Sequence, residues 1–343
     1  MKIAIHQGDG YFTELWIKYC KTNNIDYSVV NCYDTTIVQA LNDCDVLMWH
    51  HLNGYYKDYL IAKQLLFSLE QAGKTVFPNF KTTWHFDDKV GQKYLLEAIG
   101  APLVKSYVFY SKKEALDFVS TTTFPKVFKL TRGAGSANVK LIKSQSQARS
   151  LIKKAFGRGF PIFDRMGYLK ERFKKFRNGK DTLLGVMKGF GRLFIPVKDI
   201  KMIPREKGYF YLQDFIPNNN SDTRIIVIGD KSFAIKRMVR KNDFRASGSG
   251  SIIYSKDEID IRCVKIAFSM NEKIQSQCIA YDFIFDKGNN PLIIEISYGF
   301  TPAGYISCPG YWDKDFKWHE GEFNPYGWIV ELVLKQAENH IVK

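Results

Sequence analysis

The feature that most constrains this chain is a pair of apolar, strand-like segments near its C-terminal end. The segment Cys278–Asp286 contains Asp282 within the run Ile-Ala-Tyr-Asp-Phe-Ile-Phe, and the segment Leu292–Ser297 contains Glu295. The turn-forming sequence Asp-Lys-Gly-Asn-Asn at 286–290 connects them. We therefore predict a β-hairpin that carries one carboxylate on each arm, thirteen residues apart along the chain.

Two carboxylates in such strands have two interpretations. An ionised carboxylate in an apolar strand is costly unless it pairs with a cation or binds a metal. Carboxylates on adjacent strands suit Mg²⁺, which prefers oxygen ligands, keeps several waters and bridges phosphates. The alternative is an ordinary salt bridge to a basic residue elsewhere in the chain.

The first 80 residues alternate strand and helix patterns. Apolar runs predict four strands, at Lys2–His6, Tyr27–Asn31, Asp45–Trp49 and Thr75–Pro78. Helical periodicity lies between them at Thr13–Thr22, Thr35–Leu41 and Tyr59–Ala72. This order predicts a small parallel α/β domain.

Beyond residue 80 the pattern becomes richer in strands, typical of an α+β arrangement. Helices are predicted at Asp87–Ala98, Lys112–Val119, near Tyr168–Phe176, at Asp257–Glu272 and from Pro325 onward. Further strands are predicted at Ser106–Tyr110, Phe124–Leu130, Tyr209–Ile216, Thr223–Ile228 and Ser232–Arg237. Six scattered cysteines without a C-x-x-C pair are read as small apolar residues.

A second candidate site follows the strand that contains Lys129. The sequence Thr-Arg-Gly-Ala-Gly-Ser-Ala-Asn begins at Thr131, and its backbone N–H groups could cradle phosphate oxygens beside the lysine charge. Taken alone, a Gly/Ser turn between two strands explains it equally well.

A third candidate is a set of arginines that could grip phosphate or carboxylate oxygens bidentately. Arg224 and Arg237 lie on strands that predict a hairpin around Gly229-Asp230, and Arg245 opens a second Gly/Ser loop. Taken singly, each arginine is more often an ordinary surface residue.

Together, these features resemble the ATP-grasp superfamily, in the style of its glutathione synthetase and ribosomal-protein glutamate ligase branch. The resemblance lies in an order of motifs: a helical lysine, a strand lysine, a Gly-rich loop, Gln-Asp-Phe-Ile, Asp-x-Arg, a further arginine, and Asp…Glu-x-Ser. It implies an N-terminal parallel α/β (pre-ATP-grasp) domain at 1–88, a lid and central part at 89–214 and a catalytic part at 215–343. The lid subdomain would be mobile and would carry the basic segment 153–207.

The resemblance also implies roles for individual residues. Lys89 and Lys129 would hold ATP phosphates, and Asp222 would contact the ribose. Arg224, Arg237 and Arg245 would act on the transferred phosphate and the acceptor carboxylate. The phosphate loop would comprise Gly133, Ala134, Gly135 and Ser136. The adenine slot would comprise Gln213, Asp214, Phe215 and Ile216. The metal ligands would be Asp282, Glu295 and Ser297, the last in place of the asparagine usual in the superfamily.

The implied activity is that of an ATP- and Mg²⁺-dependent ligase, with Mn²⁺ as a substitute metal, joining a carboxylate to an amine through an acyl phosphate. The C-terminal tail, Tyr298–Gly321, resembles ATP-grasp proteins of bacterial surface-polysaccharide biosynthesis. That similarity implies a sugar acid as one substrate, free or linked to a nucleotide or lipid; a packed C-terminal cap is the alternative for the tail. Two other functions remain open: an ATP-grasp kinase and a non-catalytic ATP-binding regulatory module.

Charge is concentrated in one segment. Residues 153–207 contain sixteen Lys or Arg and five acids, most of the chain's net charge of +15. Such a segment attracts polyanions such as anionic membrane lipids or phosphorylated substrates, unless it is only a solvated face. We expect no nucleic-acid partner, because the aromatics do not alternate regularly with the charges. We expect a cytoplasmic protein, with contact at the inner face of the membrane as an option, and a dimer is compatible with the sequence.

We expect Asp282→Asn or Glu295→Gln to abolish ADP formation and to leave the fold intact, because each removes one metal-ligand charge. An ADP-release assay and circular dichroism would measure the two effects. Wild-type turnover in either variant would rule out the metal assignment.

Overall fold

The computed structural model describes residues 1–8, 11–132, 138–161, 165–177, 182–194, 202–240, 243–246 and 251–341. The chain forms two compact units. The first comprises residues 1–52, 57–104 and 216–343, and the second comprises 53–56 and 105–215. The predicted boundary at 214/215 lies one residue from this division, whereas the predicted boundary at 88/89 falls inside the first unit. The three-part division therefore stays a prediction.

The N-terminal part of the first unit is a four-stranded parallel sheet in the order β2-β1-β3-β4. Its strands are β1 (Lys2–His6), β2 (Asp26–Val30), β3 (Val46–Met48) and β4 (Thr75–Phe77). The accompanying helices are α1 (Tyr11–Thr22), α2 (Ile37–Ala40), α3 (Tyr56–Gln71) and α4 (Phe80–Thr83). The predicted parallel α/β arrangement is confirmed.

The C-terminal part of the same unit is an antiparallel sheet in the order β13-β12-β9-β10-β14-β15, with β11 paired to β10. Its strands are β9 (Ser221–Ile228), β10 (Lys231–Met238), β11 (Ile252–Ile253), β12 (Cys278–Phe285), β13 (Pro291–Ser297), β14 (Gly310–Asp313) and β15 (Trp318–Glu320). Its helices are α5 (Lys89–Ala98), α10 (Ile261–Ile274) and α11 (Pro325–Ile341). The hairpin predicted from the carboxylate-bearing strands is therefore present as β12–β13.

This antiparallel sheet is buried on both faces. Side chains alternate along a strand, so Ile226 and Ile228 of β9 enter one core while Ile225 and Val227 enter another. The first core also contains Ile3 of β1, together with residues of α1 and α11. The N-terminal and C-terminal segments therefore share apolar packing, which explains why they form one unit.

The second unit is built on an antiparallel sheet in the order β5-β8-β6-β7. Its strands are β5 (Ser106–Phe109), β6 (Lys126–Lys129), β7 (Val139–Ile142) and β8 (Phe210–Asp214). Its helices are α6 (Lys112–Thr121), α7 (Gln145–Ala155), α8 (Arg165–Arg177) and α9 (Leu183–Phe194). The sequence predicted α8 but missed α9, because the three glycines of α9 lower its intrinsic helix propensity.

All six cysteines are free and buried, in agreement with the prediction that they behave as small apolar residues. In the described part of the chain, no helix combines the length and the apolar character needed to cross a membrane.

Gly327 allows close packing of α11 against α1, since a Cβ there would overlap the ring of Tyr19. Although alanine normally stabilises a helix relative to glycine, we expect Gly327→Ala to destabilise the first unit by about 1 to 3 kcal/mol through overpacking. Gly304→Ala is the matched control, because nothing lies within 4 Å of its added Cβ. Urea unfolding followed by circular dichroism would measure both; equal stabilities would contradict the packing argument.

Candidate functional site

A row of charged residues crosses one face of the antiparallel sheet. Asp282 on β12 lies directly opposite Arg224 on β9 and Glu295 on β13. Asp222, two residues before Arg224 and so on the same face of β9, lies opposite Arg237 on β10. Strand pairing thus brings five of the predicted site residues together, although they are distant in sequence.

Asp282 is the centre of this row. Its Oδ1 accepts from Nε of Arg224 at 2.5 Å, and its Oδ2 accepts from Nη2 of Arg224 at 2.6 Å. Nη2 of Arg237 also lies 2.9 Å from Oδ2. Burial acts to raise the pKa of Asp282, but the charges of Arg224 and Arg237 outweigh it and lower the pKa well below the usual carboxyl range. Asp282 is therefore a buried, permanently charged carboxylate.

Arg237 is held by two carboxylates. In addition to Asp282, it donates from Nε and Nη2 to the two oxygens of Asp222, at 2.6 and 2.7 Å. Burial raises the pKa of Asp222, with Arg237 acting in the opposite direction. Burial acts to lower the pKa of Arg237, but the charge of Asp282 raises it overall. The predicted ribose contact of Asp222 stays a prediction, and its observed partner is Arg237.

Glu295 extends the row to a helix. Its Oε1 lies 3.2 Å from Nζ of Lys89, which is the buried first residue of α5. The N-cap residue Asp88 accepts from the backbone N–H groups of Val90 and Gly91 at 3.1 and 2.9 Å, fixing the start of the helix. The row therefore contains three cations, Lys89, Arg224 and Arg237, and three carboxylates, so its formal charges balance.

The donor set fits Mg²⁺. An ionised carboxylate offers about four lone-pair sites, and the contacts with Arg224 and Arg237 use three of those on Asp282, leaving one direction for a metal. Glu295 is half-buried on the adjacent strand. Within the described ranges, no three His, Cys, Asp or Glu side chains come together as a metal-binding group; Mg²⁺ commonly takes only one or two protein carboxylates, with phosphates and waters. The salt-bridge interpretation of the hairpin therefore applies to Asp282. Its role as a metal ligand stays a prediction.

Ser297 lies two residues after Glu295 on β13, and its side chain contacts the backbone of Gly299. Its hydroxyl accepts from the N–H of Gly299 at 3.3 Å and lies 3.2 Å from the carbonyl oxygen of the same residue. These contacts fix the end of the strand. The role of Ser297 as a metal ligand stays a prediction.

The sequence did not single out Tyr305, which the structure brings to this site. Tyr305 is buried beside the charge of Arg224, and it packs against Phe233 and Phe300 with ring centres 5.5 and 5.3 Å away. Burial raises the pKa of its hydroxyl, so it remains a neutral hydrogen-bonding group. Tyr298, Phe300, Tyr305 and Cys308 all belong to the first core. These four residues of the tail are packed, and the tail reaches the charged row through Tyr305. A role of the tail in binding substrate stays a prediction.

Arg245 forms a local ion pair with Asp243. Its Nε and Nη2 lie 3.0 and 2.7 Å from Oδ1 and Oδ2 of Asp243. Ile216, another predicted site residue, lies just before β9 in the first unit. The predicted functions of both residues stay predictions.

The second unit contains the remaining predicted nucleotide-binding residues. Lys129 is buried at the end of β6, opposite Tyr211 of β8. Gln213 donates to the Ser106 hydroxyl at 3.1 Å, and Asp214 pairs with Lys126 at 2.6 Å. Phe215 follows β8. The predicted phosphate-loop residues Gly133, Ala134, Gly135 and Ser136 lie outside the described residues.

The chain leading into that loop is held by Glu206, another residue that the sequence did not indicate. The two carboxylate oxygens of this buried side chain accept from the backbone N–H groups of Thr131 and Arg132, each at 2.8 Å. The Tyr209 hydroxyl contacts both Glu206 and the N–H of Thr131. Glu206 lies in the basic segment, 74 residues from Arg132, so no local pattern could reveal this contact.

The chain thus combines a parallel α/β sheet, an antiparallel sheet that carries the charged row, and a second unit with its own antiparallel sheet. Comparison with known proteins identifies this class. The RimK-like ATP-grasp domain family matches residues 200–301, the region that contains β9, β10, β12 and β13. This region of the chain matches an ATP-grasp family, and the predicted resemblance to the ATP-grasp superfamily and the predicted fold class are confirmed.

Individual relatives agree with this assignment. The α-aminoadipate–LysW ligase LysX of Saccharolobus solfataricus is 22% identical over 278 residues, which span 80% of this chain and 84% of the relative. D-alanine–D-alanine ligase of Bacillus anthracis, solved with ATP, aligns over 99% of this chain and 98% of its own, with 13% identity and a TM-score of 0.56. N5-carboxyaminoimidazole ribonucleotide synthetase of Thermotoga maritima aligns over 97% of this chain and 75% of its own, with 14% identity and a TM-score of 0.59. The domain match and the ligase relatives indicate an ATP-dependent ligase.

The contacts of Asp282 change the expected behaviour of one variant. Asp282→Asn removes the charge that compensates two guanidinium groups, so we expect it to destabilise the first unit by about 3 to 5 kcal/mol. Glu295 is more exposed and pairs with Lys89, and we expect Glu295→Gln to cost only about 1 kcal/mol. The expectation that Asp282→Asn leaves the fold intact is therefore revised. Denaturant unfolding of both variants would measure the difference, and equal stabilities would contradict the central role of Asp282.

Proposed function

We propose that this chain is an ATP- and Mg²⁺-dependent carboxylate–amine ligase that forms an amide through an acyl phosphate. The observation that carries the proposal is the pair of opposed carboxylates, Asp282 and Glu295. They are set among Arg224 and Arg237 of the sheet and Lys89 of α5. Two carboxylates suit a metal that bridges phosphates, and fixed guanidinium groups suit a transferring phosphoryl group.

In the first step, an oxygen of the substrate carboxylate attacks the γ-phosphorus of ATP. The bond from that phosphorus to the bridging oxygen breaks, so ADP leaves and an acyl phosphate forms. Mg²⁺, held by Asp282 and Glu295, would neutralise phosphate charge during this transfer. Arg237 has five N–H donors, and its contacts with Asp222 and Asp282 use those of Nε and Nη2. A guanidinium oriented in this way can stabilise a phosphoryl oxygen without reorganising.

In the second step, the nitrogen of an amine attacks the acyl carbon. The carbon–oxygen bond to phosphate breaks, inorganic phosphate leaves, and the nitrogen loses a proton as the amide forms. Phosphorylation is needed because a free carboxylate would have to expel oxide. Within the second unit, the proposed ATP contacts are Lys129 and the chain at Gln213–Phe215. The loop Gly133–Ser136 is included in the proposal on its sequence alone.

The substrates that we propose are a small carboxylate and a small amine. Two of the similar ligases support this class, since each is named for a small molecule, α-aminoadipate in one and D-alanine in the other. We further propose a sugar acid of a surface polysaccharide as the carboxylate, on the resemblance of the Tyr298–Gly321 tail. We place the enzyme in the cytoplasm, with contact at the inner face of the membrane.

The test is ADP release over a panel of sugar acids, amino acids and amines. We expect continuous ADP release only when Mg²⁺, a carboxylate and an amine are all present. We expect hydroxylamine in place of the amine to trap the acyl phosphate as a hydroxamate. Glu295→Gln is the matched control and should release no ADP. ADP release with an acceptor and no hydroxamate would instead support a kinase, and ATP binding without turnover on any substrate pair would support a regulatory module.

A further inference from the structure

Helices α8 and α9 of the second unit carry an unusual concentration of exposed apolar side chains. Seven of the nineteen large apolar residues exposed in the described part of the chain lie on these two helices. On α8 they are Met166, Phe173 and Phe176, and on α9 they are Leu183, Leu184, Met187 and Phe190. Exposed apolar residues normally occur singly, so a cluster of this kind indicates an interaction surface.

The exposed residues of α9 form one stripe. Leu183, Met187 and Phe190 follow the i, i+4, i+7 spacing of a helix face, and Leu184 lies beside them. Their side chains are 62%, 64% and 57% exposed, and Leu184 is 62% exposed. The stripe is therefore available to a partner.

The opposite face of α9 is the one that packs. Gly185 and Gly189 are buried and four residues apart, so they lie on the same face. A Cβ at Gly189 would lie 3.2 Å from Cδ1 of Leu169 and 3.4 Å from Cγ of Arg172 on α8. The glycines thus allow α9 to approach α8 closely, and this contact turns the apolar stripe outward.

The segment that contains these two helices is strongly basic. Residues 165–194 contain nine Lys or Arg and two acids. Lys188 and Arg192 are exposed on α9, four and eight residues after Leu184, so they line one flank of the apolar stripe. Lys170 and Arg177 are exposed on α8. An apolar stripe flanked by cations is the pattern of a helix that lies in a membrane interface and binds anionic headgroups.

We propose that the α8–α9 surface docks on an anionic lipid bilayer, with Leu184, Met187 and Phe190 entering the headgroup region and Lys188 and Arg192 binding lipid phosphates. A second copy of this chain is disfavoured as the occupant, because two such basic surfaces repel each other. A nucleic acid is disfavoured because four of the seven exposed apolar residues are leucine or methionine, which have no ring on which bases could stack. The inference locates the membrane contact included in the proposed function, and it does not depend on the ligase chemistry.

The experiment is vesicle flotation of the full chain, with vesicles of phosphatidylcholine alone or mixed with phosphatidylglycerol. We expect binding only to the mixed vesicles, and weaker binding as salt rises. Replacing Leu184, Met187 and Phe190 together by Gln should weaken binding about tenfold or more, because the three side chains would no longer bury apolar surface in the bilayer. The matched control replaces Val29, Val38 and Leu60 by Gln, since these residues are also exposed but lie in the first unit; this control should bind normally.

A second pair of variants tests the charges. Lys188→Glu with Arg192→Glu should also weaken binding about tenfold or more, since each cation near an anionic surface contributes on the order of 1 kcal/mol. Lys112→Glu with Lys113→Glu makes the same charge change at exposed positions on α6 and should bind normally. Thermal unfolding of every variant would identify any loss of folding.

Three results would overturn the proposal. The first is equal binding to both kinds of vesicle, and the second is equal binding by the α9 variants and their controls. The third is no binding to either kind of vesicle. In that case, self-association that the triple Gln variant abolishes would indicate a second copy of this chain, and capture of single-stranded RNA or of an acidic protein would indicate that partner. The ADP-release assay tests the ligase separately, so either proposal can fail while the other stands.

Discussion

Asp282 is a buried carboxylate whose charge is balanced by Arg224 and Arg237, and most features of the site depend on this balance. Asp282 joins β12 to β9 and β10, and the second partner of Arg237, Asp222, ties β10 back to β9. Such a network is stable only when every member is present, because removing one charge leaves another buried without compensation. Residues proposed for phosphoryl transfer are thus also structural members of the sheet.

The network also prepares the site electrostatically. Its three cations balance its three carboxylates, so the protein does not need a bound ligand to avoid uncompensated charge. Each guanidinium is already oriented by bidentate contacts, and preorganised donors of this kind stabilise developing charge at little reorganisation cost. Tyr305, from the packed tail, adds a neutral contact to Arg224.

The apolar packing explains how so polar a row is held in place. The alternating residues of β9 enter two different cores, one shared with the N-terminal parallel sheet and the other with α5 and α10. Lys89 reaches Glu295 because α5 packs against the core that contains Ile293 and Ile296 of β13. In the second unit, Glu206 similarly fixes Thr131 and Arg132 through their backbone N–H groups.

Local sequence patterns were enough to predict the N-terminal parallel α/β domain and the β12–β13 hairpin, because these depend on periodicity and turn residues. The order of motifs was enough to predict which kinds of side chain form the site. The sequence did not indicate α9, because the glycines of α9 lower its helix propensity. The same glycines allow α9 to pack closely against α8. Only the tertiary structure decided that Asp282 meets Arg224, 58 residues away, and that Tyr305 and Glu206 take part. The physical reason is that a local pattern determines which face of a strand is buried, whereas the neighbour of that strand is determined by long-range packing.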